Sequence, residues 1–343
     1  MSANTQLDIE EPLALVNYLR EHGCIAPDET PDCAILGGGV SNRVVLVRRG
    51  SGESWVLKQA LNKLRVKADW FSDPARVQRE ALGLRWLAEM APPHTTTPLV
   101  FEDKAVHLLA MQAVPRPHAN WKQLLLAGEL LRDHVEQFGA ILGTIHRRSA
   151  GRRAEMEPVF ADRTFFESLR VEPYYQFTAG RNAEAARFYD DLIAETRATR
   201  SALVHGDFSP KNILVHDGRL VLLDHEVIHW GDPAFDLGFA LTHLLAKANF
   251  LSEHRRRFIT AAGWFWNDYR TASGGTAATS DLEARAVRHT LACLLARVDG
   301  RSPLEYLTGA ARERQRIVTL ALMKSPPATL PELFQMFAER LDR

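Results

Sequence analysis

HGDFSPKNILV, residues 205–215, sets an aspartate and an asparagine on one turn between short apolar runs, and LVLLDHE, residues 220–226, follows across His216-Asp217-Gly218. Asp-Gly is the pair a two-residue hairpin favours, because both central positions take positive φ. Such a hairpin returns Asp224 to the side of the turn that carries Asp207 and Asn212. Asp207 is then a residue able to take a hydroxyl proton, Asn212 one able to hold a metal, and Asp224 a carboxylate able to bridge magnesium to nucleotide phosphates. Glu226, two residues on, faces the same place as a second ligand or as its support. Asp, Gly, Ser, Pro and Asn are also the commonest turn formers, so the first segment alone reads as a plain loop. The second segment makes it a candidate site.

Upstream, the chain reads as strands. CAILGGG, RVVLVRR and SWVLKQA, with a GSGES turn, describe a glycine-rich turn feeding a hairpin. Gly37, Gly38 and Gly39 lack the side chains that would keep backbone N–H groups from phosphate oxygens, and Ser41 and Asn42 add polar contacts. Alone, this too reads as an ordinary bend. Lys58 ends an otherwise apolar strand; its chemistry is to neutralise nucleotide phosphates while a carboxylate holds it, and the next helix offers Glu80. Asp73 as N-cap and Pro74 at the first position open that helix, which runs to about Met90. PLVFED and AVHLLAMQAV complete a sheet of about five strands before Pro115 and Pro117 break the pattern. We therefore expect an N-terminal lobe over 1–114 and a C-terminal lobe over 115–343.

Beyond that boundary the pattern is mainly helical. Leu131, Val135, Phe138, Leu142 and Ile145 recur at three- and four-residue steps, one face of a helix over 130–147. Helical patterns resume near 233 and continue to the last residues, interrupted by TASGGTAATS, 271–280, a loop by composition. The expected class is α+β, with an antiparallel sheet lobe carrying a helix and a larger, mainly helical lobe.

A chain of 343 residues suits two lobes. Lys plus Arg and Asp plus Glu balance at 42 each, so no net field recommends nucleic acid or an anionic membrane as a partner. Neither a basic leader nor an apolar run of ~20 residues is present, and the expectation is a cytoplasmic protein. Cys24, Cys33 and Cys293 are odd in number and lack CxxC spacing, which disfavours a disulfide framework or a zinc site.

HGDFSPKN, LLDHE and GDPAFDLG, taken in order, resemble the motif set of the aminoglycoside phosphotransferase and choline kinase superfamily. The resemblance covers residues 33–245. It implies a protein-kinase-like fold with ATP bound between the lobes, Asp207 as catalytic base, and Asn212 and Asp224 as Mg2+ ligands. It also implies that Asp236 supports the catalytic loop from below, that Asp232 caps the following helix, and that the backbone of Gln112 and Val114 meets the adenine edge. VLKQALNKLRV, the Trp70 loop ADWFSD and the pair Asp224 and Glu226 look most like methylthioribose kinases. Two departures stand against that narrower likeness: the loop between Lys58 and Glu80 differs, and Asn212 replaces a serine.

The implied partner is a small-molecule alcohol. Ser209 stands where protein kinases have a lysine, and no APE segment follows, which disfavours a peptide acceptor. Aminoglycoside, choline and homoserine kinases remain rivals, as does a non-catalytic ATP-binding pseudokinase. For acceptor contacts the sequence offers Arg297 and Asp299, which close the helix pattern AVRHTLACLLAR, and Trp70. Trp264, Phe265, Trp266 and Tyr269 offer rings for a quaternary amine, although such a stripe more often packs a core.

Overall fold

A computed structural model describes residues 7–37, 41–65, 71–275 and 279–342. It divides into two units, one of residues 1–88 with 96–116, the other of residues 89–95 with 117–343.

In the first unit, β1 (Asp32–Ile35), β2 (Asn42–Arg48), β3 (Ser54–Ala60), β4 (Leu99–Asp103) and β5 (Leu108–Gln112) form an antiparallel sheet in the order β1-β2-β3-β5-β4. Strand alternation assigns its two faces. Trp55 and Leu57 of β3, with Leu108 and Ala110 of β5, pack with Leu15, Tyr18 and Leu19 of the helix Pro12–Glu21. Ala60 of β3, with Leu109 and Met111 of β5, packs instead on Val77, Ala81 and Leu84 of the helix Arg76–Met90. Lys58 shares the parity of Ala60 and so points at that second helix. Asp73 caps its entry through a bond from the Ala75 N–H at 2.8 Å, and the regular helix starts at Arg76.

The second unit is mainly helical around two small sheets. β6 (Ala119–Asn120), β8 (Ile213–His216) and β9 (Arg219–Leu222) form one, and β7 (Ala202–Val204) pairs with β10 (His229–Gly231) in the other. Asp217 and Gly218 both have positive φ, 48° and 72°, as the expected two-residue turn requires. The helix expected over 130–147 spans Arg132–Gly151 and buries Val135, Phe138, Leu142 and Ile145. Leu131 departs from the expected stripe: it is the extended residue before the first turn, so it falls off the helical face and is 56% exposed. Against this helix lies Arg255–Ala272, so close that a Cβ on Gly139 would sit 2.5 Å from the Phe265 carbonyl oxygen. Phe265, Trp266 and Tyr269 are therefore core residues, while Trp264 is half-buried with Arg132 Cζ 5.3 Å from its ring centre. The three cysteines are free. Among the described residues no helix is long and apolar enough to cross a membrane.

Candidate active site

The segment 205–212 leaves β7 and is held from three sides. Phe208 is fully buried and stacks on Phe138, ring centres 4.3 Å apart. Asp236, in the first turn of the helix Pro233–Phe250, accepts from the His205 N–H at 2.7 Å and the Gly206 N–H at 2.8 Å, with His146 Nε2 at 3.3 Å. This is the support from below that the sequence led us to expect. Burial works against ionisation of Asp236, but the bonds from His146 and His205 outweigh it and hold the carboxyl below its ordinary range. Asp232 is the N-cap of the same helix, accepting from the Ala234 N–H at 3.0 Å, and Arg285 pairs with its second oxygen at 2.9 Å. Gly206, at φ 78°, lies against Val227, where a Cβ would come within 2.8 Å of that side chain. Only glycine makes this turn at this distance.

Asp207 emerges from that frame with its carboxylate oriented. Its Oδ2 accepts from Asn212 Nδ2 at 2.7 Å and pairs with Arg170 Nη2 at 3.1 Å. Its Oδ1 accepts no hydrogen bond from any described residue. Arg170 is buried; Nε donates to the Gly206 carbonyl at 2.6 Å and Nη1 to the Leu169 carbonyl at 2.7 Å. Burial alone would disfavour its charge, yet the carboxylates of Asp207, Glu226 and Asp224 hold the guanidinium above its usual pKa. All three acidic side chains therefore act on one cation. Arg170 was invisible in the sequence. It rides a helix wound with wide π turns, Glu167–Gln176, whose geometry no 3.6-residue pattern announces.

Asn212 and Asp224 lie at the open end of one hairpin. Ile213 pairs with Leu222 in the ladder, and beyond it the Leu223 N–H donates to the Asn212 carbonyl at 2.9 Å. Asn212 spends its amide nitrogen on the Asp207 carbonyl and carboxylate, which leaves Oδ1 for a cation. Asp224 has φ 68°, a left-handed conformation that costs a non-glycine residue energy and clusters at functional sites. Glu226 is 9% exposed. His205 accepts the Asp207 N–H on Nδ1 at 3.1 Å, and burial pushes its pKa below the ordinary value.

In the first unit, Lys58 Nζ and Glu80 Oε1 are 2.6 Å apart, with Glu80 fully buried. The Ser41 carbonyl is held by the Leu61 N–H and by the buried Arg76, and its Oγ accepts from Asn42 Nδ2 at 3.1 Å. Gly37 is exposed, and a Cβ there would meet no atom. Gly38, Gly39 and Trp70 lie outside the described residues. Gln112 gives its N–H to the Pro98 carbonyl and Ala113 to the Ser54 carbonyl, so Val114 is the first N–H past that ladder. Of the acceptor candidates, Arg297 is 8% exposed and faces Tyr174 and Phe239, its Cζ 4.8 and 5.1 Å from their ring centres. Asp299 instead forms a two-pronged pair with Arg316, Oδ2 to Nε at 2.9 Å. An open cavity of about 700 Å3 lies in the second unit, bordered by Arg163, Glu167, Glu172, Arg197 and Arg200; none of the candidate residues lines it.

Comparison with known proteins accords with this geometry. Residues 32–274 match the model of the Phosphotransferase enzyme family, APH. The chain is 27% identical over 261 residues to methylthioribose kinase of Pectobacterium atrosepticum, covering 67% of this chain and 64% of that protein. It is 27% identical over 237 residues to methylthioribose kinase 2 of Oryza sativa subsp. japonica, covering 61% and 55%. The chain thus spans less than two thirds of the length of these relatives. Among solved structures, amicoumacin kinase hAmiN in complex with AMP-PNP, Ca2+ and Ami superposes with TM-score 0.58 at 12% identity, covering 94% of this chain and 96% of that one. A choline/ethanolamine kinase family protein from Mesorhizobium loti gives 0.52 at 14%, covering 95% and 99%. These likenesses carry the fold, a protein-kinase-like one, and with more than half of its length matched the chain belongs to the APH phosphotransferase family.

Proposed function

We propose that the protein transfers the terminal phosphoryl group of ATP to a hydroxyl of a small molecule, with Asp207 as general base. The observation that carries this reading is the state of Asp207: Oδ2 is fixed by Asn212 and Arg170, and Oδ1 is left to take a proton. The acceptor O–H gives its proton to Asp207 as its oxygen bonds to the γ-phosphorus and the bond to the departing ADP oxygen breaks. Lys58, steadied by Glu80, bears on the α- and β-phosphates. Gly37, Ser41 and Asn42 are assigned to the phosphates, as Gly38 and Gly39 are from the sequence alone, and the Gln112 and Val114 backbone is assigned to adenine.

Asn212 Oδ1, Asp224 and Glu226 are all hard oxygen donors, the set that Mg2+ takes, so these residues fit the metal. When bound, it neutralises phosphate charge. Glu226 serves as ligand or as support for Asp224.

The likeness to methylthioribose kinases favours a sugar acceptor. Burial of Phe265, Trp266 and Tyr269 counts against choline. The test is ADP release by purified protein over methylthioribose, other sugars, homoserine, choline and aminoglycosides. The reading expects one class to stimulate release saturably. Release at the acceptor-free rate with every compound, despite ATP binding, would favour the pseudokinase alternative.

A further inference from the structure

The helix Pro233–Phe250 is buried almost throughout, yet it carries His243 and Lys247, one turn apart on the same face. Lys247 is fully buried, donates among the described residues only to the His243 carbonyl at 3.2 Å, and holds its ammonium 5.4 Å from the Tyr306 ring centre. Arg297 comes in from the facing helix Ser280–Asp299. Its Nη1 donates to Ser302 O and Oγ at 2.9 and 3.1 Å, and its Nη2 lies 3.4 Å from His243 Nε2. Neither cation is ion-paired with any described carboxylate. Arg297 Nε and the Tyr306 hydroxyl are buried with no hydrogen-bond partner among the described residues. Lys122 adds a third positive charge and pairs with Glu305, an exposed carboxylate.

Two buried cations without a paired carboxylate are costly, and the one described carboxylate whose charge reaches them, Glu305, is exposed and already paired with Lys122. Their charges are felt locally. Burial, reinforced by Lys122, pushes the Lys247 ammonium down to about 7, and burial with Arg297 and Lys247 keeps His243 well below its ordinary pKa. The cluster is also tied to the candidate base. Arg297 and Arg170 share Tyr174 and Phe239 as neighbours, with Arg170 Cζ 5.7 Å from each ring centre, and Arg170 pairs with Asp207. The two guanidiniums are thus neighbours across the same pair of rings.

We propose that Lys247 and Arg297, with the Tyr306 hydroxyl, form an anion subsite for the acceptor, so that the substrate is a polyol bearing a carboxylate or a phosphate, its anionic end here and its hydroxyl at Asp207. This rests on the kinase reading for its second half. The anion supplies the missing counter-charge, and Arg297 Nε and the Tyr306 O–H supply donors. A polycationic acceptor would be repelled at the same place.

The test has two arms. In the first, inorganic phosphate and acetate are titrated calorimetrically, without nucleotide, into wild type, Lys247→Met and Arg297→Gln. We expect at least one anion to bind wild type and to bind each variant at least tenfold more weakly; which anion binds separates a phosphate-bearing from a carboxylate-bearing acceptor. Lys247→Met keeps the side-chain volume and removes a buried charge, so it should fold and melt higher than wild type. In the second, ADP release is compared for ribose 5-phosphate against ribose and for gluconate against glucose. One charged member should exceed its neutral partner at least tenfold in kcat/KM, and Lys247→Met should erase the preference. Absence of anion binding, equal binding by Lys247→Met, or equal use of charged and neutral members overturns the proposal. Failure of the kinase reading shows differently, as ADP release no greater than that of Asp207→Asn with every acceptor, while the calorimetry still decides whether the anion subsite exists.

Discussion

Asp224 and Lys247 each sit in a conformation or environment that a stable protein would avoid, and the proposed metal and anion sites would account for both. At φ 68°, Asp224 holds a left-handed backbone that glycine adopts freely and alanine does not. Asp224→Gly should therefore be about 1 kcal/mol more stable than Asp224→Ala, while both lose metal-dependent turnover. Thermal melts of the two variants alongside ADP release check this; equal stability would mean that the backbone there is unstrained. For Lys247 the sign is the reverse of an ion-paired lysine. Its folded pKa, about 7, lies below the ordinary value, so the cost of burying its charge is present in full below pH 7 and fades as pH rises toward the unfolded value. Wild-type stability should accordingly rise between about pH 7 and 10 relative to Lys247→Met, a difference read from paired melts across that range. Asp224 was legible from the hairpin that follows Asn212, although its left-handed backbone was not; Lys247 was not legible from spacing. FALTHLLAKANF does show a histidine and a lysine one turn apart in an apolar helix, and that was the available signal.

At the scale of elements, the catalytic loop is a suspended structure, and Asp236 is its suspension. Asp236→Ala removes the acceptor of two buried N–H groups, a loss worth about 3 kcal/mol, and should cut turnover through loop disorder while ATP affinity changes little. Because the folded carboxyl titrates below its ordinary range, its contribution is present above about pH 4 and is lost as pH falls through the folded value. Acid melts of Asp236→Asn should then fall less steeply below pH 4 than those of wild type; parallel curves would contradict the role. The elements that bear this loop were readable because local rules coincide there. Asp-Gly dictates the β8–β9 turn, alternation in Ser54–Ala60 turns Lys58 toward the helix of Glu80, and Asp232 precedes a proline at a helix start. Arg170 was not readable, since its position depends on π winding and on Tyr174 and Phe239, contacts that no sequence period encodes.

Across the whole molecule, each of the two units supplies part of the proposed chemistry. The sheet unit offers a lysine locked to a buried glutamate; the helical unit offers the proposed base, the proposed oxygen ligands for a metal and a cluster of buried cations. The chain divides at 116/117, and residues 89–95 join the helical unit, a tertiary preference that no break in composition marks. The family follows from motifs in order, whereas the acceptor depends on side chains gathered from helices far apart in the chain. The central claim is that Asp207 takes the acceptor proton, and one measurement addresses it most directly: single-turnover phosphorylation of the best acceptor by Asp207→Asn, with MgATP affinity determined on the same sample. The account predicts MgATP affinity within a factor of about two of wild type and a rate lower by about two to four powers of ten. A near-normal rate in that variant would contradict it.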